Sequence, residues 1–241
     1  TPTPTSSTKP PTQTTPTKVD WPFTTGEQLN YQIFIGGSNA PLGLATFQVR
    51  GQSRYFDREG IFLTVSAQTT GAATRLFIAN DRIESYVDPK SLLPYRTILN
   101  LLEGKRRLNQ TLTVNQESGS ATTNTGQKID IPVGTHDYVS LFYVIRTLNL
   151  SLKKKNAVSV LVENKTKTLF IDSIKRETIE LGQQKLQAIA LTLTTDDPQP
   201  DKYQFRMWIS NDKRRLPLRV TCQTELGPLR ADLAIVPTAV Q

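Results

Sequence analysis

The sequence predicts a mainly β protein, an antiparallel meander forming a curved sheet or barrel with one main α-helix. Three observations predict it. Apolar residues alternate with polar ones in many short runs, the period of a strand with one buried and one wet face. Turn residues separate these runs at short intervals. A single segment, residues 136–150, instead carries apolar residues at helical spacing.

Residues 1–20 come first, as an extended tail or linker ahead of a single β-rich domain at 21–241. Positions 1–18 hold eight Thr, five Pro and two Ser. Proline removes backbone donors, and there is almost nothing apolar to bury, so an extended, polyproline-like stalk is expected. The threonines Thr1, Thr3, Thr5, Thr8, Thr12, Thr14, Thr15 and Thr17 are candidates for glycosylation or for contact with a partner.

The body opens at Trp21-Pro22-Phe23. Leu29, Tyr31, Ile33 and Ile35 form the first alternating run, and Gly36-Gly37-Ser38-Asn39 turns the chain into a return over 44–49. Ile61, Leu63, Val65 and Ala67 alternate next. Leu108, Gln110, Leu112 and Val114 do so around polar Asn109, Thr111 and Thr113. Further strand-like runs cover 73–79, 82–88, 94–102, 157–163, 166–173, 175–181, 184–194, 203–210, 216–225 and 229–236. Turn signals stand at 57–60, Glu103-Gly104, 117–119, Gly182, 196–200, Asn211-Asp212 and Gly227-Pro228. In the helical segment, Leu141, Val144, Ile145 and Leu148 lie at i, i+3, i+4 and i+7. Thr135 or Asp137 can cap its start, and Lys153–Lys155 suits the negative end. The spacing predicts a helix over 137–149, about three to four turns long, packed against the sheet or plugging it.

Composition narrows the chemistry. The 241 residues contain one Cys and one His, which excludes an intrachain disulfide and a His/Cys metal cage. No run approaches the ~18 apolar residues of a membrane-spanning helix. The only methionine is Met207, so a removed signal peptide or an excised fragment is expected, and the Thr/Pro tail favours export. The sequons at Asn109, Asn149 and Asn164 carry little weight in a Thr-rich chain.

The net charge is +8. Three basic clusters stand at expected loop ends: Lys105-Arg106-Arg107, Lys153-Lys154-Lys155 and Lys213-Arg214-Arg215. If they converge on one rim, an anionic glycan or lipid surface is the partner they fit. Aromatic content is only 7%, with no aromatic-plus-basic stacking motif, which argues against nucleic acid.

No catalytic, cofactor-binding or metal-binding residue is expected. His136-Asp137 with Ser140 is the only place for a His-based mechanism, but adjacent residues on a helix point apart, so a helix-start role is expected. No G-x-S-x-G motif supports a hydrolase. Cys222 alternates with Leu218 and Val220 and reads as a small buried hydrophobe. The carboxylates Glu84, Asp88, Glu163, Glu177, Glu180, Asp196 and Asp197 fall on turns or on polar strand faces. Asp196, Asp197 and Asp201 lack the spacing of a calcium loop.

With these positions read, the chain resembles a family of exported bacterial proteins, domain of unknown function 3108. The matching stretches are Gly26-Glu27-Gln28-Leu29-Asn30-Tyr31, Leu42-Gly43, Thr69-Thr70-Gly71, residues 83–88 leading into Leu93-Pro94, residues 137–143 with Arg146 one turn later, and residues 208–212 continuing to Arg215-Leu216-Pro217. The family tends to place a Gly in the turn after the helix, where this chain has Lys153–Lys155. The resemblance implies a signal-bearing envelope protein with a β-rich fold, and it implies no reaction. The expected function is therefore a non-enzymatic exported binding or carrier module on a Thr/Pro stalk. The alternative is a structural or accessory subunit of an envelope complex or extracellular filament, self-associating or bound to other envelope proteins, its tail ordered by neighbours or glycans.

Overall fold

A computed structural model describes residues 19–75, 77–197 and 201–237. The tail threonines lie outside the described residues. The strands are β1 (Gln28–Ile35), β2 (Gly43–Tyr55), β3 (Arg58–Thr69), β4 (Asn80–Val87), β5 (Pro94–Glu103), β6 (Arg106–Asn115), β7 (Ser120–Thr123) and β8 (Lys128–Asp130). The helix α1 (Tyr138–Ile145) follows, and then β9 (Lys155–Val162), β10 (Lys165–Leu181), β11 (Gln184–Thr195), β12 (Phe205–Ser210), β13 (Pro217–Thr224) and β14 (Gly227–Leu233).

The strands form one antiparallel sheet in the order β8-β7-β6-β5-β4-β3-β2-β1-β14-β13-β12-β11-β10-β9. It is a meander whose two halves join where β14 pairs with β1, Leu233 opposite Tyr31. The alternation that predicts the strands also sets their register: Leu29 faces Phe47, Phe47 faces Val65, Val65 faces Ile83 and Ile83 faces Leu99, one inward row crossing five strands.

The sheet curls until its edge strands β8 and β9 approach, but they do not pair. Residues 131–137 bridge the gap as a strap. On one side Ile131 N–H donates to Gly119 O (2.9 Å), and Gln116 Nε2 donates to Thr135 O (2.9 Å). On the other, His136 N–H donates to Ser159 O (2.8 Å) and Leu161 N–H to His136 O (2.9 Å). The result is barrel-like with a seam closed by loop backbone.

Inside the curl lies α1, filling the role of plug. Val139, Phe142 and Tyr143 are buried with Leu29, Tyr31, Leu63, Val87 and Leu218 on one side. Ile145 is buried with Val158, Ile171, Ile189 and Ile209 on the other, where Leu141, Val144 and Leu148 pack half-buried. Arg146 closes the helix with a side chain that has no solvent exposure. Its Nη1 donates to Glu27 Oε1 (2.6 Å), and its Nη2 donates to Glu27 Oε2 (3.0 Å), Pro22 O (2.7 Å) and Arg214 O (2.9 Å).

Four expectations are corrected. The helix spans eight residues, not 137–149. Beyond Ile145 the bonds tighten to i→i+3, Thr147 to Val144 and Leu148 to Ile145, so the apolar stripe outlasts the helix. The described residues of 73–79 form no strand: Gly71, at φ +57°, starts a 3₁₀ turn over Gly71–Arg75. The runs 166–173 and 175–181 are a single strand, β10, with a bulge between Ser173 and Lys175. The short strands β7 and β8 were not anticipated, because so few residues show no period.

The packing makes Ile145, about 1% exposed, the sensitive position of the stripe. Ile145→Ala is expected to cost on the order of 2–5 kcal/mol in urea unfolding. Leu141→Ala, from a half-buried site, should cost less. A change near zero at Ile145 would mean that the stripe faces solvent.

Candidate ligand-binding cleft

The polar residues singled out by sequence resolve first into structural roles. Asp137 and Ser140 form a reciprocal capping box: Ser140 N–H donates to Asp137 Oδ1 (2.7 Å) and Asp137 N–H donates to Ser140 Oγ (3.0 Å). The second carboxylate oxygen accepts from Thr97 Oγ1 on β5 (2.6 Å), which anchors the helix start to the sheet. His136 Nδ1 lies 3.2 Å from Ser140 Oγ. The Asp137 carboxylate is taken up by Ser140 N–H and Thr97, not by the imidazole, so Asp137 does not orient the ring as the third group of a relay would. Burial, partly offset by Asp137, lowers the His136 pKa to about 4. The ring is therefore neutral and buried at neutral pH.

The carboxylates disperse. Glu84 pairs with Arg82, Asp88 accepts from the turn amides of Lys90 and Ser91, Glu177 accepts from Trp208 Nε1, and Asp197 bonds Lys167. Glu180 lies near exposed Lys185, and Asp196 accepts from Thr168 N–H. No three His, Cys, Asp or Glu side chains gather among the described residues. Cys222 is half-buried, and burial raises its thiol pKa, which disfavours the thiolate.

The basic clusters do not converge on one rim. Lys105–Arg107 opens β6 at the end of the sheet that holds the β9–β10 turn, where Arg106 pairs with both Glu103 (3.1 Å) and Glu163 (3.2 Å). Lys153–Lys155 leads into the opposite end of β9, with Lys155 3.9 Å from Asp172. Lys213–Arg215 lies in the β12–β13 connection, where the Arg214 carbonyl accepts from Arg146 and the Arg214 side chain pairs with Asp212 (2.7 Å).

What the structure adds is a cavity that the sequence did not mark. The helix α1 is two turns long, and its first residue, Tyr138, borders a hollow within the curl. A cleft of about 310 Å³ remains there between the inner faces of β3–β6 and the end of β9. Its wall is apolar: Val65, Ile83, Leu99, Leu101, Leu112 and Leu161. Its polar lining comprises Asp81, Glu103, Arg106, Gln110, Tyr138, Glu163 and Asn164, the residues of strand ends and turns for the most part. Asp81 Oδ1 accepts from Leu102 N–H (2.9 Å), while burial raises its carboxyl pKa. Burial likewise raises the Tyr138 phenol. An apolar chain fits the wall, and a polar or charged head fits the mouth. Asp81 and Gln110 belong to no motif, since each looks like an ordinary strand position, while Tyr138 stands in the stretch 137–143 that reads as a helix start.

The buried histidine yields a pH dependence with a definite sign. Its folded pKa, about 4, lies below the unfolded value of 6.5, so the unfolded chain binds more protons between these limits. Stability from neutral His136 is complete above pH 6.5 and declines as pH falls toward 4, by roughly 3 kcal/mol in all. Unfolding measured from pH 7.5 to 4 should show this slope, and His136→Asn should flatten it. An equal slope in both proteins would remove His136 as its source.

Comparison with known proteins addresses the fold. The β-barrel-like protein of a domain of unknown function, DUF1849, from Brucella abortus superposes with a TM-score of 0.58 at 10% identity, over 86% of this chain and 94% of that one. A DUF1089 family protein from Pseudomonas aeruginosa gives 0.47 at 9% identity, over 77% and 92%. A protein of Bacteroides fragilis predicted to be exported gives 0.36 at 7% identity, over 90% and 98%. No curated protein matches the sequence. The family pattern that does match runs over residues 30–234, from β1 to the end of β14, and takes in the capping box, Arg146 and the β12–β13 turn; the chain belongs to the family described as a protein of unknown function, DUF3108.

Proposed function

We propose that this chain is a non-enzymatic exported binding or carrier module, and that the cleft beside α1 receives an apolar, chain-like ligand. The observation that carries the reading is the apolar wall with polar groups gathered at its mouth. A protein needing only a packed core would fill this space, because voids lose dispersion contacts and apolar burial. Here the inward row Val65, Ile83 and Leu99 lines a hollow. The neutral, buried His136 and the dispersed carboxylates support a binding role over a catalytic one. Export is supported by the Thr/Pro composition of residues 1–18 and by the family resemblance of the motifs. No helix among the described residues is long and apolar enough to cross a membrane.

Ala67 lines the cleft and is only half-buried, so a larger side chain can enter the hollow there without displacing the core. Ala67→Trp is expected to weaken binding of a fluorescent fatty-acid probe about tenfold or more, equivalent to about 1.4 kcal/mol, with little change in melting temperature. Probe binding as tight as in the parent chain would place the ligand elsewhere, and no probe binding by the parent would remove the apolar-ligand reading.

A further inference from the structure

We propose that the end of the curled sheet carrying the cleft mouth docks on an anionic lipid bilayer, with Phe77 and Ile78 entering the interface and Arg75, Lys105 and Arg107 meeting the headgroups. The role of such docking, access of the cleft to lipid chains, rests on the proposed function. The docking surface stands on its own observations.

Strand direction alternates through the meander, so the β3–β4 and β5–β6 connections share one end of the sheet with the β9–β10 turn. Phe77 and Ile78 are consecutive in the β3–β4 connection and are 38% and 51% exposed. Their backbone is fixed: Phe77 N–H donates to Ala73 O (3.0 Å), and Ile78 O accepts from Gly104 N–H (2.7 Å). The Phe77 ring lies against Gly104, where an added Cβ would stand 3.3 Å from Cε2, so it sits beside the β5–β6 turn. That turn continues into Lys105, Arg106 and Arg107.

The charges are arranged for an outward partner. Glu103, Glu163 and Asp81 belong to the mouth, and the first two pair with Arg106. Arg75, Lys105 and Arg107 are exposed and have no carboxylate partner among the described residues. Two adjacent large apolar side chains flanked by three unpaired cations is the combination that holds proteins at anionic bilayers. The apolar groups gain by entering the headgroup boundary, and the cations gain from the surface potential. A soluble polyanion would use the cations but gives no reason for the exposed Phe-Ile pair, which favours the membrane. Continuity with the cleft points the same way, since Glu103 and Arg106 line the cleft and flank this turn.

The test is flotation of the full chain with vesicles of phosphatidylglycerol and phosphatidylcholine. Binding is expected, weakening as salt is raised and absent with phosphatidylcholine alone. The Phe77→Ser, Ile78→Ser double variant should lose about tenfold or more in vesicle affinity, and Lys105→Glu with Arg107→Glu should lose at least as much. Lys153→Glu with Lys154→Glu, at the other end of β9, should bind as the parent does. Fatty-acid probe binding without vesicles should be unchanged in the Phe77/Ile78 variant, which separates failure of docking from failure of the cleft. No vesicle binding by the parent, or equal losses at both ends of the sheet, would overturn the proposal. So would undiminished binding of the Phe77/Ile78 variant with full competition by heparin, which would identify a polyanion surface.

Discussion

The buried guanidinium of Arg146 is the constraint on which the rest of this structure depends. An unpaired charge without solvent would be too costly to keep, so every segment supplying a partner must be in place when the chain folds. Those segments are far apart in sequence: Pro22 and Glu27 before and at the start of the sheet, and Arg214 in the β12–β13 connection. The ring of Phe23 lies 5.4 Å and that of Tyr143 5.8 Å from the guanidinium carbon, completing an aromatic jacket around it. Burial raises the phenol pKa of both Tyr31 and Tyr143, so both phenols beside the guanidinium stay neutral.

This clamp and the capping box act at opposite ends of α1. Thr97 holds Asp137 at the helix start, and Glu27 holds Arg146 at its finish, so a helix too short to be stable alone is fixed within the curl. Its first residue, Tyr138, then borders the cleft. Within the stretches that carry the family resemblance, Glu27, Asp137, Ser140 and Arg146 build this frame, and Tyr138 lines the cleft. Function in this reading belongs largely to ordinary-looking positions such as Ala67 and Asp81, while the conspicuous Asp137 and Arg146 hold the helix in place.

Much of the architecture was legible in the sequence because burial of one sheet face forces a period of two. Leu29, Tyr31, Ile61 and Leu63 alternate and are all buried. The helix was legible in kind but not in extent: Leu148 continues the stripe, yet the chain has left the helix by then to seat Arg146. Ala73 to Ala79 imitates a strand, but a left-handed Gly71 turns the chain first, a tertiary choice that alternation does not record. The cleft was illegible for a different reason. Val65, Ile83 and Leu99 have the same pattern whether the space beside them is filled or open. Pairing of Glu27 with Arg146 was equally hidden, since 119 positions separate them and only the closure of the sheet brings them together.

The account is tested most directly by a double-mutant cycle on the clamp, followed by denaturant unfolding. Glu27→Leu strands the buried Arg146 charge and Arg146→Met leaves the half-buried Glu27 without its partner, and each is expected to cost on the order of 3–5 kcal/mol. Combined, they remove both charges, and the double variant should be destabilised by less than either single one. Costs that simply add would contradict the account, because Arg146 and Glu27 would then contribute independently and the clamp would not be what sets the helix in the sheet.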